Sequence, residues 1–432
     1  MIVSKFGGSS VADSVQIKKV KAILESSERR TIVVVSAPGK RNKDDEKITD
    51  LLYQCNKDVQ KGLSCKETFK KIQSRYIEIA VDLGIDTKDL IDQLDSVRRL
   101  IDAGYGADYA ASRGEYLSAY LISKYLGWEF LDSAELIVIN SDNTANPVSY
   151  ENLRSRIEDG KKYVIPGFYG RDERSNVKTF SRGGSDITGS IVARAVAAEL
   201  YENWTDVSGV YSANPTIVNN AKPIAYLSYQ EVRELAEVGA SVFHEEAIAP
   251  VVEVGIPINV KNTNRPDDPG TIISSESNGS GVSGISAKGG LSMIRLRRLM
   301  LFKKSGMRHA LLTMLHIFGI RPCYSLFGID SIVWYFESKM ASDSVCDSMC
   351  ERVKDEYNLD SVTVTRGYAI MALVGPDMNK STEYIDALIA LKEAGIEVAT
   401  INYGASETST LIAIREEDKD EAVRVVYKRL FG

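Results

Sequence analysis

The pattern of apolar and polar positions in the first two-thirds of the chain predicts strands that alternate with helices. Residues 2–6 alternate like a short strand, and residues 31–37 form a run of β-branched residues typical of a buried parallel strand. Between residues 65 and 101, apolar residues recur at helical spacing and predict two core-facing helices. Further buried strands are expected at residues 134–140 and 163–169. This alternation predicts an α/β sandwich around a mainly parallel sheet, which binds ligands at the carboxyl ends of its strands.

The last third of the chain contains an internal repeat. Gly319 and Gly328 in one copy correspond to Gly395 and Gly404 in the other, an offset of 76 residues, and an apolar strand follows in each copy. Each copy is interpreted as a small β-α-β-β unit with helices on one face. A stretch rich in serine and glycine at residues 274–284 indicates a linker. We therefore expect three domains, at residues 1–275, 285–360 and 361–432, with copies that can interleave.

Composition and charge narrow the class of function. Of the 432 residues, 44% are apolar and 26% are charged, which is ordinary for a globular protein with a sizeable core. The net charge is −6 and no dense basic cluster occurs, which argues against nucleic acid as a partner. The longest apolar run, residues 310–320, is too short to span a bilayer and contains His316. The chain begins directly with a strand and shows no export signal, so we expect a cytoplasmic protein without a membrane partner.

The five cysteines are odd in number and include no C-x-x-C pair, which argues against a disulfide framework and a zinc site. Cys346 and Cys350 lie one helical turn apart, a spacing that also suits a metal pair. In the repeat, however, they align with Ala422 and Val426. This alignment favours apolar core positions on a helix.

The N-terminal strand leads into a glycine turn with the features of an anion site. Gly7 and Gly8 carry no Cβ that would keep a ligand from the backbone, and Ser10 with Asp13 marks the start of a helix. Free N–H groups and the positive end of the helix dipole then point into the turn, where Lys5 can also reach. A phosphate is the obvious ligand. Taken alone, the same residues fit a tight turn without a ligand equally well.

A second glycine pair opens onto a helix within residues 180–189. Arg182 precedes these glycines and offers a planar fork suited to a carboxylate or a phosphate. Asp186 is expected to hold Lys5 or to lie near a metal. Two such turns in one α/β domain indicate a site for two anionic molecules. Because neither turn has the P-loop or dinucleotide-binding pattern, kinase chemistry of another lineage fits best.

Motifs in these stretches resemble those of the aspartate kinase family, within the amino-acid-kinase superfamily. They are Lys5–Ser10, Val35–Ala37, Arg113–Glu115, Pro166–Phe168 with Gly170–Asp172, Arg182–Asp186 and Trp204–Tyr211. The resemblance covers essentially the whole chain. It implies an amino-acid-kinase α/β/α sandwich followed by two ferredoxin-like ACT domains. It also implies transfer of the ATP γ-phosphate to the β-carboxylate of L-aspartate, giving 4-phospho-L-aspartate, the first step towards lysine, threonine and methionine.

The resemblance assigns roles to single residues. Lys5 would neutralise the transferring phosphoryl group, and Asp186 would organise Lys5 and the metal–phosphate end. The implied phosphate and ATP site consists of Lys5, Gly7, Gly8, Ser9, Thr205, Asp206, Tyr211 and Lys261. The implied aspartate site consists of Ser36, Thr49, Glu115, Arg182 and Ser185, with Arg182 on a carboxylate and Glu115 on the α-amino group. The family also implies Mg²⁺, held mainly by ATP and not by dedicated protein ligands.

The paired repeats resemble ACT domains, which in this family bind an amino-acid effector at an interface and link subunits into a homodimer or a tetramer. Lysine is the expected effector, with threonine as an alternative. The implied effector site consists of Lys304, Met307, Arg308, Ile329 and Asp330. The repeats could instead serve dimerisation alone.

The chain departs from the family pattern at two places. Asn214–Thr216 stands where the family commonly has Asp-Pro-Arg or a similar basic residue, so one expected phosphate contact is missing. Cys323 stands where lysine-sensitive relatives usually have an aspartate. The second departure leaves the identity of the effector open.

Two other functions compete with this interpretation. One is a sister kinase that acts on glutamate, acetylglutamate, carbamate or a nucleotide; the second glycine turn, the Arg113–Glu115 motif and the paired repeats favour aspartate over these. The other is a catalytically silent amino-acid sensor on the same fold. Intact Lys5, Arg182 and Asp186 argue against the sensor.

Overall fold

The computed structural model describes residues 1–181, 183–239, 245–276, 279–303 and 306–432. The chain divides into two compact units. The first comprises Met1–Val210, Pro223–Tyr229 and Val242–Asn278, and the second comprises Tyr211–Lys222, Gln230–Ser241 and Gly279–Gly432. In the described part of the chain, no helix combines the length and the apolar character needed to cross a membrane.

Strands and helices alternate along the first unit. In chain order they are β1 (Ile2–Phe6), α1 (Ser14–Glu25), β2 (Arg30–Val35), α2 (Ile48–Gln60), α3 (Lys66–Asp82), α4 (Lys88–Asp102), α5 (Ala107–Leu126), β3 (Glu129–Phe130), α6 (Ser133–Leu136), α7 (Val148–Arg156), β4 (Tyr163–Pro166), β5 (Tyr169–Arg171), β6 (Val177–Thr179), α8 (Gly184–Ala195), β7 (Leu200–Thr205), β8 (Tyr226–Ser228), α9 (Tyr229–Glu237), α10 (Glu245–Val252), β9 (Ile258–Asn262) and β10 (Thr271–Ser274). All but the first residue of α9 belong to the second unit.

The first unit is built on an eight-stranded sheet in the order β3-β4-β2-β1-β7-β9-β10-β8. Every pair in this sheet is parallel except β9 with β10. The mainly parallel α/β sheet predicted from the sequence is therefore confirmed. Strand β1 lies inside the sheet between β2 and β7, so its carboxyl end opens onto the middle of one sheet edge.

Alternation along β1 sends neighbouring side chains to opposite faces of the sheet. Phe6 packs into a core shared with the apolar faces of α1 to α5. Lys5 points to the other face, where its ammonium group meets Asp186 of α8. The helices thus cover both faces, and a buried strand delivers a lysine to the face that α8 covers.

Two predicted strands differ from the structure. Residues 134–136 belong to the short helix α6, and Val138 and Ile139 each form an isolated bridge. The helical turn forms because Asp132 accepts a hydrogen bond from Ala134 N at 3.0 Å and caps it. The strand predicted at 163–169 ends at Pro166 in β4 and resumes in β5. Phe168 interrupts it with φ 78°, a left-handed conformation that is uncommon for a residue with a side chain and breaks the extended run.

The second unit is built on one antiparallel sheet of six strands. Its further elements are β11 (Gly284–Arg297), α11 (Met307–Ile317), β12 (Tyr324–Phe327), β13 (Ser331–Glu337), α12 (Asp343–Tyr357), β14 (Ser361–Val374), α13 (Glu383–Glu393), β15 (Val398–Asn402), β16 (Ser409–Arg415) and α14 (Lys419–Phe431). The strand order is β12-β13-β11-β14-β16-β15. The apolar strands predicted after Gly328 and Gly404 correspond to β13 and β16.

The two repeats share the long central strands of this sheet. The second half of β11 pairs with β13, and the second half of β14 pairs with β16. Gly290 and Gly367 have φ 74° and 78° where each long strand passes from one repeat to the other. Each repeat has its own core, formed with α11 and α12 in one and with α13 and α14 in the other. Cys346 is 3% exposed in the first core, which confirms its predicted apolar position.

Candidate active site

Lys5 and Asp186 form an ion pair at the carboxyl end of β1. Lys5 Nζ lies 2.6 Å from Asp186 Oδ1, and their side chains are 8% and 18% exposed. Asp186 lies in the first turn of α8, so the pair joins the buried strand to a helix N-terminus. Asn203 on β7 completes the group, because its Nδ2 donates to Asp186 Oδ1 at 2.7 Å and its Oδ1 accepts from Lys5 Nζ at 3.4 Å. A cation is thereby held beside the helix end that attracts anions.

The glycine turn after β1 packs tightly against the loop after β2. Gly39 N donates to Gly8 O at 2.9 Å, and a Cβ on Gly8 would lie 2.9 Å from Ala37 O. This close backbone approach requires glycine. Gly8–Val11 form a 3₁₀ helix, and the first N–H groups of a helix have no acceptor within it. The N–H groups of Gly8 and Ser9 therefore lie where an anion can accept from them.

The backbone N–H of Gly7 does not have its predicted role, which was to donate a hydrogen bond to a phosphate. Its N–H donates to Trp204 O at 3.0 Å, because the turn continues the pairing of β1 with β7. The Gly7 N–H is therefore engaged, and we correct the predicted donor set accordingly. A Cβ on Gly7 would lie 3.5 Å from Lys5 Nζ, an ordinary contact distance.

The second glycine turn starts α8 and packs against Phe168. Gly183 has φ 58°, which glycine adopts without strain, and α8 begins at Gly184. A Cβ on Gly184 would lie 2.6 Å from Cδ2 of the Phe168 ring and 2.8 Å from the Phe168 Cα. Arg182, a predicted aspartate ligand, lies outside the described residues. The close approach to Phe168 therefore requires glycine at position 184.

Gly167 packs against both Ser185 and the end of β2, and so brings the two close together. Gly167 N donates to Val35 O at 2.9 Å, and a Cβ on Gly167 would lie 2.6 Å from Ser185 Oγ. Ser36 follows Val35 directly, and its own N–H donates to Phe6 O at 3.1 Å. Backbone contacts thus bring Ser185 and Ser36, two residues predicted to bind the substrate aspartate, to one end of the sheet.

Glu115 is buried on α5, with 6% of its surface exposed. Burial raises the pKa of its carboxyl to about 8, against the opposing effects of the Ala37 backbone N–H and the Arg113 cation. Among the residues that the structure describes, its Oε2 atom has no hydrogen-bond partner. A buried carboxylate oxygen without a donor is costly, and a ligand ammonium group would relieve that cost.

Helix α5 packs directly on the segments that carry Ser36 and Thr49, which were also predicted to bind the substrate aspartate. A Cβ on Gly114 would lie 2.7 Å from Ala37 Cβ and 3.5 Å from Ile48 Cγ2. Ala37 follows Ser36, and Ile48 precedes Thr49, so the two hydroxyl residues flank the contact. Both are half-buried. The chain neighbours of Ser36 and Thr49 therefore contact the helix that carries Glu115.

Three of the four predicted nucleotide residues, Thr205, Asp206 and Lys261, lie at or next to the ends of β7 and β9. Thr205 ends β7, and its Oγ1 donates to Asp206 Oδ1 at 3.2 Å. Lys261 on β9 holds its ammonium group 5.2 Å from the Trp204 ring centroid, and burial lowers its pKa. Tyr211 belongs to the second unit.

Similarity to known proteins identifies the family. The model of the amino acid kinase family matches residues 1–262, and that of an ACT domain matches residues 371–430. Aspartokinase 3 of Bacillus subtilis (strain 168) is 35% identical over 450 residues, which covers 100% of this chain and 99% of that protein. The chain belongs to the aspartate kinase family. Its relatives are phosphotransferases that act on a carboxyl group.

Solved aspartate kinase structures share this fold. The crystal structure of Clostridium acetobutylicum aspartate kinase, described as an allosteric enzyme, is 42% identical with a TM-score of 0.93 and covers 99% of this chain and 100% of that one. Escherichia coli aspartokinase III in complex with aspartate and ADP is 24% identical with a TM-score of 0.79, and 100% of each chain is covered. The second likeness supports the fold alone.

Asn203 is the site residue that the aspartate kinase motifs did not reveal. It precedes Trp204, the first residue of one motif, and is the register partner of Lys5 in the pairing of β1 with β7. Its signal in the sequence is a polar residue inside a buried strand. Ser10 gains a partner in the same non-local way, since its hydroxyl lies 2.7 Å from Thr263 Oγ1.

The metal chemistry expected of an aspartate kinase fits these residues. Within the described ranges, the acidic, histidine and cysteine side chains form no group of three or more that could hold a metal ion. Asp186 is the carboxylate beside Lys5, and its Oδ1 is already engaged by Lys5 and Asn203. The Asp186 carboxylate is therefore one oxygen donor that could face an ion brought by the nucleotide.

The predicted effector residues of the second unit lie around the start of α11. Met307 is the first residue of this helix and is buried. Arg308 places its guanidinium 4.4 Å from the ring centroid of Phe327, which brings the helix start near the end of β12. Lys304 lies outside the described residues.

The turn before β13 carries the other two predicted effector residues. Ile329 is 87% exposed. Asp330 accepts a hydrogen bond from Met300 N at 2.7 Å through its side chain, and its carbonyl accepts from Arg298 N at 3.0 Å. One carboxylate oxygen of Asp330 is therefore used to hold the chain before α11.

Proposed function

We propose that this chain transfers the γ-phosphate of ATP to the β-carboxylate of L-aspartate, giving 4-phospho-L-aspartate and ADP. The observation that carries the proposal is the Lys5–Asp186 contact of 2.6 Å, between a strand that ends in one glycine turn and a helix that begins at the other. Family membership supports the same reaction. The intact Lys5–Asp186 pair does not favour a catalytically silent sensor.

The reaction needs charge and positioning more than acid–base chemistry. A β-carboxylate oxygen of aspartate attacks the γ-phosphorus, a new O–P bond forms, and the bond to the β,γ-bridging oxygen breaks to release ADP. The carboxylate is already ionised at neutral pH, so the nucleophile requires no base. Lys5 and the N–H groups of Gly8 and Ser9 would stabilise the charge on the transferring group. Asp186, fixed by Asn203, would keep Lys5 in place.

Aspartate would bind where α5 meets the loop after β2. The Glu115 carboxyl would accept the α-ammonium group, and its unpaired Oε2 among the described residues supports this role. Ser36, Thr49 and Ser185 would donate to carboxylate oxygens of the substrate. Arg182 is proposed as the bidentate partner of a substrate carboxylate.

The nucleotide would bind along the ends of β7 and β9. We assign Thr205, Asp206, Tyr211 and Lys261 to it, in line with their motif positions. Mg²⁺ would arrive on the phosphates of ATP and supply positive charge against the developing anion. Asp186 is the carboxylate that would lie closest to this ion.

The second unit would regulate the first. We propose residues 1–275 as the catalytic domain and residues 285–360 and 361–432 as two interleaved ACT domains. Lysine is the proposed effector, with threonine as the alternative, at a site made by Lys304, Met307, Arg308, Ile329 and Asp330. E. coli aspartokinase III has been crystallised with lysine and aspartate in a T-state. A homodimer through the ACT domains, or a tetramer made of two such dimers, would form this site.

The product points to amino-acid biosynthesis in the cytoplasm. An aspartyl phosphate is an activated acyl group, and its natural use is reduction towards lysine, threonine and methionine. Each of the five cysteines, all within the described part of the chain, is a free thiol, in line with a reducing compartment.

An ATP-dependent hydroxamate assay tests the proposal. Purified protein is incubated with ATP, Mg²⁺ and hydroxylamine, with L-aspartate or L-glutamate as the acceptor, and each reaction is repeated with lysine and with threonine. We expect hydroxamate with aspartate, much less with glutamate, and a lower rate with lysine. Absence of product with both acceptors would instead support the sensor.

A further inference from the structure

Arg75 on α3 contacts three acceptors on two segments around the phosphate turn, the loop after β1 and the loop after β2. Its side chain is 5% exposed. Nη2 donates to Gly39 O at 2.8 Å, Nε donates to Ala12 O at 3.2 Å, and Nη1 lies 2.8 Å from Asp45 Oδ2. All three nitrogens of the guanidinium therefore have acceptors. A planar fork with donors in fixed directions is the side chain that can serve three acceptors together.

Two of these acceptors belong to the loops that form the turn. Ala12 directly follows the 3₁₀ helix Gly8–Val11. Gly39 donates to Gly8 O at 2.9 Å, and a Cβ on Gly39 would lie 2.8 Å from the Gly8 carbonyl carbon. Arg75 thus donates hydrogen bonds to both loops that meet in the contact between Gly8 and Gly39. Movement of either loop would break a hydrogen bond to a buried guanidinium, which is costly.

Asp45 orients the guanidinium from the third side. Its Oδ2 accepts from Arg75 Nη1 at 2.8 Å, from Arg41 Nε at 3.0 Å and from Arg41 N at 2.9 Å. These donors, with Arg41 first, hold the pKa of the Asp45 carboxyl well below its usual range. The other acid near this group, Glu78, pairs with Arg41 at 3.1 Å. Asp45 is therefore an ionised counter-charge for Arg75.

We propose that Arg75 is a positioning residue for phosphoryl transfer, which holds the glycine turn against the loop after β2 and so fixes the N–H groups of Gly8 and Ser9 on the phosphate. The inference rests on the proposed function, because it takes this turn as the phosphate site. Donors that are already in place need no reorganisation when charge develops on the transferring group. A displacement of about 1 Å at such a site costs roughly a hundredfold in rate.

Two variants separate this role from a contribution to folding. Arg75→Lys keeps a cation facing Asp45 but cannot reach three acceptors. Arg41→Met removes the other cation on the same carboxylate and leaves both loop contacts intact, which makes it the matched control. We expect Arg75→Lys to lower kcat at least about tenfold with KM for aspartate within about threefold, and Arg41→Met to change kcat by less than about twofold.

Two further measurements test the proposal if Arg75→Lys folds poorly or if aspartate is not the substrate. Gly39→Ala disturbs the same contact from the other side, because its Cβ would meet the Gly8 backbone, and should give the same loss of kcat. Calorimetric binding of the ATP analogue AMP-PNP, without aspartate, should weaken in Arg75→Lys and Gly39→Ala but not in Arg41→Met.

The outcomes distinguish this inference from the proposed function. Wild-type protein that binds AMP-PNP but does not phosphorylate aspartate would refute the substrate, and the binding comparison would still decide the role of Arg75. Wild-type kcat and wild-type AMP-PNP affinity in Arg75→Lys would overturn the inference alone. Equal losses of kcat in Arg75→Lys and Arg41→Met, in parallel with their melting temperatures, would also overturn it, by reducing Arg75 to a stabilising role.

Discussion

Lys5 and Asn203 are register partners on adjacent parallel strands, and both contact the same oxygen, Oδ1 of Asp186. The pairing of β1 with β7 therefore sets the distance between a cation and the amide that orients its counter-ion. The first turn of α8 supplies the carboxylate. Three side chains from three elements thus form one rigid group at the carboxyl edge of the sheet.

Replacement of Lys5 by alanine should have the largest effect on the chemical step. We expect Lys5→Ala to lose about 3 kcal/mol of transition-state stabilisation, roughly 150-fold in kcat, by comparison with the loss of one preorganised donor. Steady-state kinetics with ATP and aspartate measure it. Lys40→Ala, on the exposed loop after β2, is the matched control and should retain wild-type rates. Near-normal kcat in Lys5→Ala would exclude Lys5 from the mechanism.

Replacement of Asn203 tests whether the Asp186 orientation matters. Asn203→Leu removes both hydrogen bonds of the amide and keeps the branched arrangement of its side-chain heavy atoms. We expect kcat to fall by about tenfold, because Asp186 and Lys5 gain rotational freedom, while KM for aspartate changes little. Kinetics at saturating ATP measure the effect. An unchanged kcat would mean that the ion pair orients itself without the amide.

Aspartate binding should depend on pH because the Glu115 carboxyl must lose its proton to pair with an ammonium group. In the free protein its pKa is about 8, so below pH 8 it is mostly protonated. Binding of an ammonium group favours the carboxylate, so affinity should rise from pH 6.5 towards 8.5, and binding at pH 7 should release about one proton per site. Calorimetry in buffers of different ionisation enthalpy measures this release. Binding without proton release would contradict the assignment of Glu115.

The same group predicts a stability effect of defined sign. The folded protein keeps a proton on Glu115 between the ordinary carboxyl pKa of 4.5 and about 8, whereas the unfolded chain has lost it. By linkage, this contribution to stability is complete below about pH 4.5, declines between 4.5 and 8, and is absent above about pH 8. Chemical unfolding from pH 5 to 9 should therefore show a steeper decline for wild type than for Glu115→Gln. Parallel curves would show that Glu115 does not titrate in this range.

Replacement of Gly167 by alanine should damage the aspartate site. Its Cβ would lie 2.6 Å from Ser185 Oγ and 2.9 Å from Ser185 Cα. Because the second contact is to backbone, we expect a loss of about 1–3 kcal/mol in stability and an increase of roughly tenfold in KM for aspartate. KM for ATP is the internal control and should change less. Equal changes in both KM values would indicate a general disturbance.

Replacement of Cys323 tests the identity of the effector. Although the residue is exposed, atoms packed around its sulfur raise the pKa of the thiol to about 11, so it is neutral at pH 7. A neutral group cannot pair with the ammonium group of lysine. Cys323→Asp should therefore strengthen inhibition by lysine by about tenfold, as expected for a charged hydrogen bond, and Cys323→Ala should not. Unchanged inhibition in Cys323→Asp would place the effector elsewhere.

Local patterns were sufficient to predict the elements of the sheet and the two glycine turns. The helical spacing between residues 65 and 101 corresponds to α3 and α4, and the β-branched run at 31–37 corresponds to β2. Residues 134–140 were misread because an apolar run of that length suits a strand or a helix, and the Asp132 cap decided for the helix.

The features that the sequence did not predict depend on contacts between distant segments. The Gly7 N–H donates to Trp204 O across the pairing of β1 with β7. Arg75 reaches Ala12, 63 residues away, and Gly39, 36 residues away. A motif indicates which residue types a reaction needs, but only the sheet register and the helix packing show which N–H groups are already used.

The most direct test of the account measures two products of one reaction. Wild-type protein with ATP, Mg²⁺, L-aspartate and hydroxylamine should form ADP and β-aspartyl hydroxamate in equal amounts, identified by chromatography against authentic α- and β-isomers. Lys5→Ala should lower both yields together. ADP without hydroxamate, an α-isomer, or a higher yield with glutamate than with aspartate would contradict phosphorylation of the aspartate β-carboxylate.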